Sequence, residues 1–143
     1  MGVKRRRKLF TVMQNKSETF RKSERLCSKK AIAELFENGK AFYSFPFQII
    51  WTTAEGESEF PAQVAISVSK RIFRRAVKRN LIRRRIREAY RKNKHILYDY
   101  LVTSNTRISF IIIFKDSSVP EYLAMEKAVC KSLTKLTEHI NVK

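Results

Sequence analysis

Apolar positions recur along this chain in distinct rhythms. Over residues 28–38, Ala31, Ile32, Leu35 and Phe36 fall at i, i+1, i+4 and i+5, one face of a helix. Ser28 is placed to cap its start and Gly39 to stop it. Residues 45–53 (FPFQIIWTT) are aromatic and β-branched and predict a strand. Residues 63–69 alternate, with Val64, Ile66 and Val68 on one face and Ala65, Ser67 and Ser69 on the other. That predicts a half-buried strand, antiparallel to the one before it. Residues 107–114 (RISFIIIF) are continuously apolar, as in a strand covered on both faces. A last helix is predicted over residues 121–139, burying Leu123, Val129, Leu133, Leu136 and Ile140. Between 93 and 106 the rhythm blurs: residues 95–98 extend a helix and Ser104-Asn105 breaks it. The pattern predicts an α+β fold, a two-layer sandwich of three helices on a small, mostly antiparallel sheet of about four strands, in the order αβββαβα.

Residues 70–92 (KRIFRRAVKRNLIRRRIREAYRK) carry a helix of another kind, predicted from about Arg75 to Lys92. They hold twelve basic residues and one acid, Glu88, so +11 of the chain's +18 sits in this stretch. At about 100° per residue, Leu81, Ile82, Ile86 and Ala89 share one side, while Asn80, Arg83, Arg84, Arg87 and Arg91 form a stripe on the other. Surface helices usually intersperse acids with bases to gain pairing, whereas this one repels itself. A polyanionic partner supplies the missing charge. Arginine outnumbers lysine nine to three here, and its planar fork binds phosphate bidentately and stacks on bases. That favours structured RNA over a diffuse membrane field, and the apolar side lacks the Trp and Phe of membrane-surface helices. Glu88 is placed to pair with Arg84, Arg85 or Arg91.

With 43% hydrophobic residues in 143, the chain has enough for one core. Residues 1–22, with the run Lys4-Arg5-Arg6-Arg7-Lys8, read as a basic flexible tail, and 23–143 as a single RNA-binding domain. Glu55, Glu57 and Glu59 read as a solvated acidic turn. Cys27 and Cys130 fit no metal spacing and read as reduced thiols. No stretch has the length and apolarity of a membrane span or signal segment, so a cytoplasmic location is expected. His95 and His139 are isolated and the acids scattered, so no catalytic or metal-binding constellation is expected.

Ser67-Val68-Ser69-Lys70-Arg71, followed by Ala76-Val77-Lys78-Arg79-Asn80, Arg83-Arg84 and Arg87-Glu88, resembles the signature of the bacterial ribonuclease P protein component. Arg25-Leu26, Leu35-Phe36, Asn38-Gly39-Lys40 and Phe47 resemble its first helix, glycine stop and first strand. The resemblance covers roughly residues 23–139. It departs where Ile72-Phe73-Arg74 replaces a loop that often holds glycine, and where Ile32 replaces a frequent aromatic residue.

The resemblance implies a left-handed β-α-β crossover. It implies a non-catalytic subunit of ribonuclease P, the tRNA 5′-maturing endoribonuclease whose RNA carries the chemistry. Its partners would be that RNA and precursor tRNA, with no membrane or DNA. No cofactor would bind the protein itself, and magnesium would belong to the RNA-containing holoenzyme. RNA contacts would come from Lys70, Arg71, Arg74, Arg75, Lys78, Arg79, Asn80, Arg83, Arg84, Arg87 and Arg91. A cleft between first helix and sheet would hold the single-stranded leader, lined by Ile32, Phe36, Phe47, Val64 and Val68, with Ser69 and Lys70 at its edge; Ile49 and Ile66 lie in the same pattern and read as core. A ribosomal or ribosome-assembly protein that binds rRNA through the same helix is the alternative. A DNA-binding regulator is disfavoured, because no helix-turn-helix partner is evident.

Overall fold

The apolar runs come together as neighbours in one sheet. The computed structural model describes residues 20–54 and 60–141. Both the N-terminal basic run and the acidic turn at Glu55, Glu57 and Glu59 lie outside the described residues. After a 3-10 turn at Lys22–Glu24 come α1 (Lys29–Asn38), β1 (Lys40–Ser44), β2 (Phe47–Thr53) and β3 (Ala62–Val68). They are followed by α2 (Ala76–Asn93), α3 (His95–Thr103), β4 (Ile108–Phe114) and α4 (Tyr122–Asn141).

The strand order is β1-β2-β4-β3. β1 pairs antiparallel with β2, and β2 with β4, while β3 runs parallel to β4. The expected antiparallel pairing of residues 63–69 with the preceding strand is therefore corrected: β4 lies between the two. The reason is in the side chains. β4 is apolar at nearly every position and belongs at the centre, where helices cover both faces. β3 carries Ala65 and Ser67 on its second face and suits an edge. The alternation rule still holds, with Val64 and Val68 buried and Ala65 and Ser67 half-buried.

One sheet face bears Phe47, Ile49, Trp51, Val64, Val68, Phe110, Ile112 and Phe114, all buried. It packs under Ile82, Ile86 and Tyr90 of α2, Leu97 and Leu101 of α3, and Met125, Val129, Leu133 and Leu136 of α4. The other face is covered only in part. There Ile50 and Ile111 pack beneath α1 with Leu26 and Leu35, and Ile32, Ala65 and Ile113 fill in around them.

Three further expectations change. α3 is a separate short helix, so the order is αβββααβα, with buried Lys94 at the α2–α3 joint. Leu123 is 69% exposed; Met125 takes its place, in phase with Val129, Leu133, Leu136 and Ile140. Phe45 lies in the β1–β2 turn, so β2 begins at Phe47. Cys27 and Cys130 are free thiols.

Gly39 does follow α1, but in an extended conformation (φ −74°, ψ 156°), not the left-handed one of a usual glycine stop. Glycine is needed here for close approach. A Cβ would clash with the Leu35 carbonyl oxygen and lie 2.7 Å from Ile50 Cγ2. Gly39→Ala is expected to lower stability by about 1–3 kcal/mol through this overpacking, read as a lower urea midpoint with unchanged slope.

Candidate RNA-binding surface

The loop from β3 into α2 is braced from within. The Ser69 hydroxyl accepts from the Arg71 amide at 3.1 Å, and the Ser69 carbonyl from the Phe73 amide at 3.0 Å. Phe73 is buried, its ring 6.0 Å from that of Phe114. Arg79 then clamps the loop by donating from one guanidinium nitrogen to the carbonyls of Phe73 and Arg74, both at 2.8 Å. A bulky side chain, Phe73, thus fixes the loop at the place noted above as a departure from the resembled pattern. Arg79 serves as a brace, set apart from the arginines that point outward.

Along α2 the arginines divide by what they touch. Arg85 reaches across to the Pro120 carbonyl at 2.6 Å, tying α2 to the approach to α4. Arg91 forms an ion pair with Glu88, which holds that carboxyl below its ordinary range. Arg83 donates to the Asn80 side-chain oxygen at 3.0 Å. Among the described residues, no carboxylate lies within ion-pair reach of Arg83, Arg84 or Arg87. Lys70, Arg71, Arg74, Arg75, Lys78 and Asn80 are exposed at the N-terminal end of the same helix. That end also presents unsatisfied backbone N–H groups and the positive pole of the helix dipole.

Arg25 joins this surface, although the helical periodicity of 70–92 gave no sign of it. The N-terminal segment runs along the free edge of β3, with Arg25 bridged to Val64 and the Leu26 amide donating to the Val64 carbonyl at 2.9 Å. The Arg25 guanidinium stands over the Phe20 ring at 5.3 Å, and that ring packs edge-on against Tyr90 at 5.6 Å. Arg25 is close enough to α2 to act on Arg87. Partial burial first, then the charges of Arg25 and Arg83, lower the Arg87 pKa from its ordinary value. Three guanidiniums are held near one another by the fold.

The expected leader cleft is corrected in its lining. Phe47, Val64 and Val68 are buried on the sheet face that packs against α2, α3 and α4, together with Ile49 and half-buried Ile66, which take the core places expected of them. None of them can line a cleft beneath α1, because side chains alternate strictly between faces. The strands instead offer α1 their other set. Register places Tyr43, Gln48, Ile113 and Ser67 in one row across all four strands, beside the row Ala41, Ile50, Ile111 and Ala65 that α1 covers in part. Ile32 is half-buried at the α1 contact and Phe36 is 56% exposed. Ser69 is half-buried and Lys70 exposed just past the end of β3. The result is a partly open strip of sheet beside α1, apolar where α1 covers it, with Lys70 exposed past its end.

Among the described residues no helix is long and apolar enough to cross a membrane, and no group of His, Cys, Asp and Glu is placed to hold a metal ion.

The family model for ribonuclease P matches residues 20–141. A ribonuclease P protein component from Porphyromonas gingivalis is 34% identical over 119 residues, covering 83% of this chain and 87% of that protein. One from Petrotoga mobilis is 31% identical over 122 residues, covering 83% and 96%. Among solved structures, the RNase P protein from Thermotoga maritima aligns with a TM-score of 0.64 at 17% identity, covering 78% of this chain and 96% of that one. That of Staphylococcus aureus aligns at 0.63 and 19% identity, covering 79% and 94%. At such identities the structural likeness speaks to the fold.

Proposed function

The chain belongs to the ribonuclease P protein family, and we infer that it works as the protein subunit of that RNA-based endoribonuclease in tRNA 5′ processing. The subunit acts by binding RNA, and the hydrolytic chemistry rests with the RNA it binds. In our reading, Arg83, Arg84, Arg87 and Arg25 meet phosphates of the RNA subunit, aided by Lys70, Arg71, Arg74, Arg75 and Lys78. Guanidinium forks suit this task because they donate two parallel hydrogen bonds to one phosphate while neutralising its charge. Folded RNA is recognised largely through such backbone and shape contacts. The groove between α1 and the open sheet row takes the single-stranded leader of precursor tRNA, with Ile32, Phe36, Tyr43, Gln48, Ile113 and Ser67 as its lining. Apolar and aromatic surface beside cations is the usual chemistry of single-strand sites. We assign magnesium to the RNA-containing holoenzyme and place the protein in the cytoplasm with its RNA partners.

The observation that carries this reading is a row of arginines on one helix, Arg83, Arg84 and Arg87, without carboxylate partners among the described residues. Reconstitution tests it. Added to ribonuclease P RNA at low magnesium, the folded protein is expected to restore leader cleavage by neutralising phosphates that magnesium otherwise screens. Absence of rescue by well-folded protein would defeat the reading.

A further inference from the structure

The end of β1 and the β1–β2 turn carry an aromatic pair for which the scaffold itself has no use. Tyr43 is 54% exposed and Phe45 64% exposed. Their rings meet only at an edge, with centroids 6.5 Å apart and planes at 60°, which leaves most of each ring open. Their neighbours in sequence behave differently. Phe42 turns to the other face and stacks on His139 at 4.2 Å, and Phe47 is fully buried. Two large apolar rings on an edge strand are a liability for a free protein, since exposed edges invite pairing with other chains. A bound partner would offset that liability.

Position indicates which partner. Tyr43 pairs with Gln48, so its side chain lies in the open row of the groove with Ile113 and Ser67. The turn is tied to the end of β4 by the Lys115 amide, which donates to the Pro46 carbonyl at 2.8 Å. Lys115 is exposed there, and Lys70 and Arg71 leave the end of β3 at the same end of the sheet, since Val68 pairs with Phe114. The nearby acid, Asp116, is turned onto its own loop, accepting from the Ser117 amide at 2.8 Å and the Ser118 hydroxyl at 2.7 Å. Open rings at the mouth of an apolar groove, among cations, match single-stranded nucleic acid better than a protein partner.

We propose that Tyr43 and Phe45 form a stacking platform for unpaired bases of the leader RNA, extending its path from the groove onto the β1–β2 turn. This rests on the groove being the leader's path. Stacking is tolerant of sequence because every base has a π-face, so the platform adds affinity for longer leaders with little base preference.

The test uses holoenzyme reconstituted with the full chain and a series of precursor tRNAs whose leaders lengthen stepwise. Tyr43→Leu/Phe45→Leu keeps apolar bulk but removes the rings. It is expected to bind long-leader substrate about five- to tenfold more weakly, the low end of one base–aromatic stack. The RNA subunit should bind it unchanged, Phe45→Leu alone should bind short-leader substrate unchanged, and Tyr43→Phe should retain the wild-type behaviour. An abasic nucleotide at the leader position over the platform should make wild type and double variant equal. Wild-type affinity of the double variant for long leaders would overturn the platform while leaving the groove reading intact. An equal loss on every substrate would also overturn it. If wild-type affinity ignores leader length altogether, the groove reading fails and the platform with it.

Discussion

Replacing Arg83 and Arg87 together with alanine is expected to weaken binding to the RNA subunit on the order of a hundredfold near physiological salt. Hydrogen bonds to charged groups contribute about 1.5–3 kcal/mol each, and about 1.4 kcal/mol is a factor of ten. The more diagnostic readout is the salt slope. Each phosphate that the protein no longer neutralises should reduce the steepness of log K against log salt by nearly one unit, so the double variant should fall by nearly two. An undiminished slope would remove both residues from the interface. Arg85→Ala is the internal control, because that side chain holds the Pro120 carbonyl instead of facing outward. Its removal should lower stability and leave the slope alone. The free protein should not suffer from the double substitution. Arg87 loses some hydration against the protein and has Arg25 and Arg83 nearby, which disfavours its charged form. Removing two of three like charges relieves repulsion in the unbound state, so a thermal midpoint equal to or above wild type is expected.

The division between arginines that face outward and arginines that brace the fold was only half visible in the sequence. Helical periodicity separated Ile82, Ile86 and Ala89 from Arg83, Arg84 and Arg87, because a helix rotates each residue by a fixed angle. It said nothing about Arg79 and Arg85, whose partners are backbone carbonyls at Phe73, Arg74 and Pro120. Carbonyls carry no sequence signature. Arg25 was legible as part of a family motif, but its place beside Arg87 depends on the N-terminal segment pairing along β3. The groove shows the same limit. Alternation placed Val64 and Val68 on one face and Ala65 and Ser67 on the other, correctly. Which face α1 would cover is a long-range fact, decided by β4 taking the centre of the sheet. The helices that cover the first face outnumber the single helix on the second, so the larger side chains went under α2, α3 and α4. The smaller and polar ones were left to line the groove.

What holds the N-terminal segment, and Arg25 with it, is a buried polar contact to a residue seventy positions away in sequence, and breaking it should be among the most damaging single changes in the chain. The Glu24 carboxylate is fully buried. One oxygen accepts from the Lys94 ammonium and from the Tyr98 hydroxyl, each at 2.5 Å; the other accepts from the Arg21 amide at 2.7 Å. Lys94 is nearly buried too, lying over the rings of Phe60 and Tyr98 at 5.7 and 5.2 Å. Burial foremost raises the Tyr98 pKa well above its usual value, so the phenol remains a donor to Glu24. Glu24→Ala therefore removes the carboxylate paired with a buried cation, at a cost of about 3–5 kcal/mol. Burial lowers the Lys94 pKa more than the attraction of Glu24 raises it. The folded chain thus binds that proton more weakly than the unfolded one. Stability rises with pH as Lys94 passes through its depressed value toward the ordinary lysine range. Without Glu24 the depression deepens, so the variant's deficit should be largest near neutrality and should shrink in alkaline solution. Glu24→Ala/Lys94→Met removes both charges and should recover much of the deficit, since an apolar replacement of a buried pair is often close to neutral. Urea denaturation of the two variants across pH reads both effects. A Glu24→Ala deficit that the second substitution does not reduce, or that is flat with pH, would show that the ion pair is not what fixes this segment to the joint of α2 and α3.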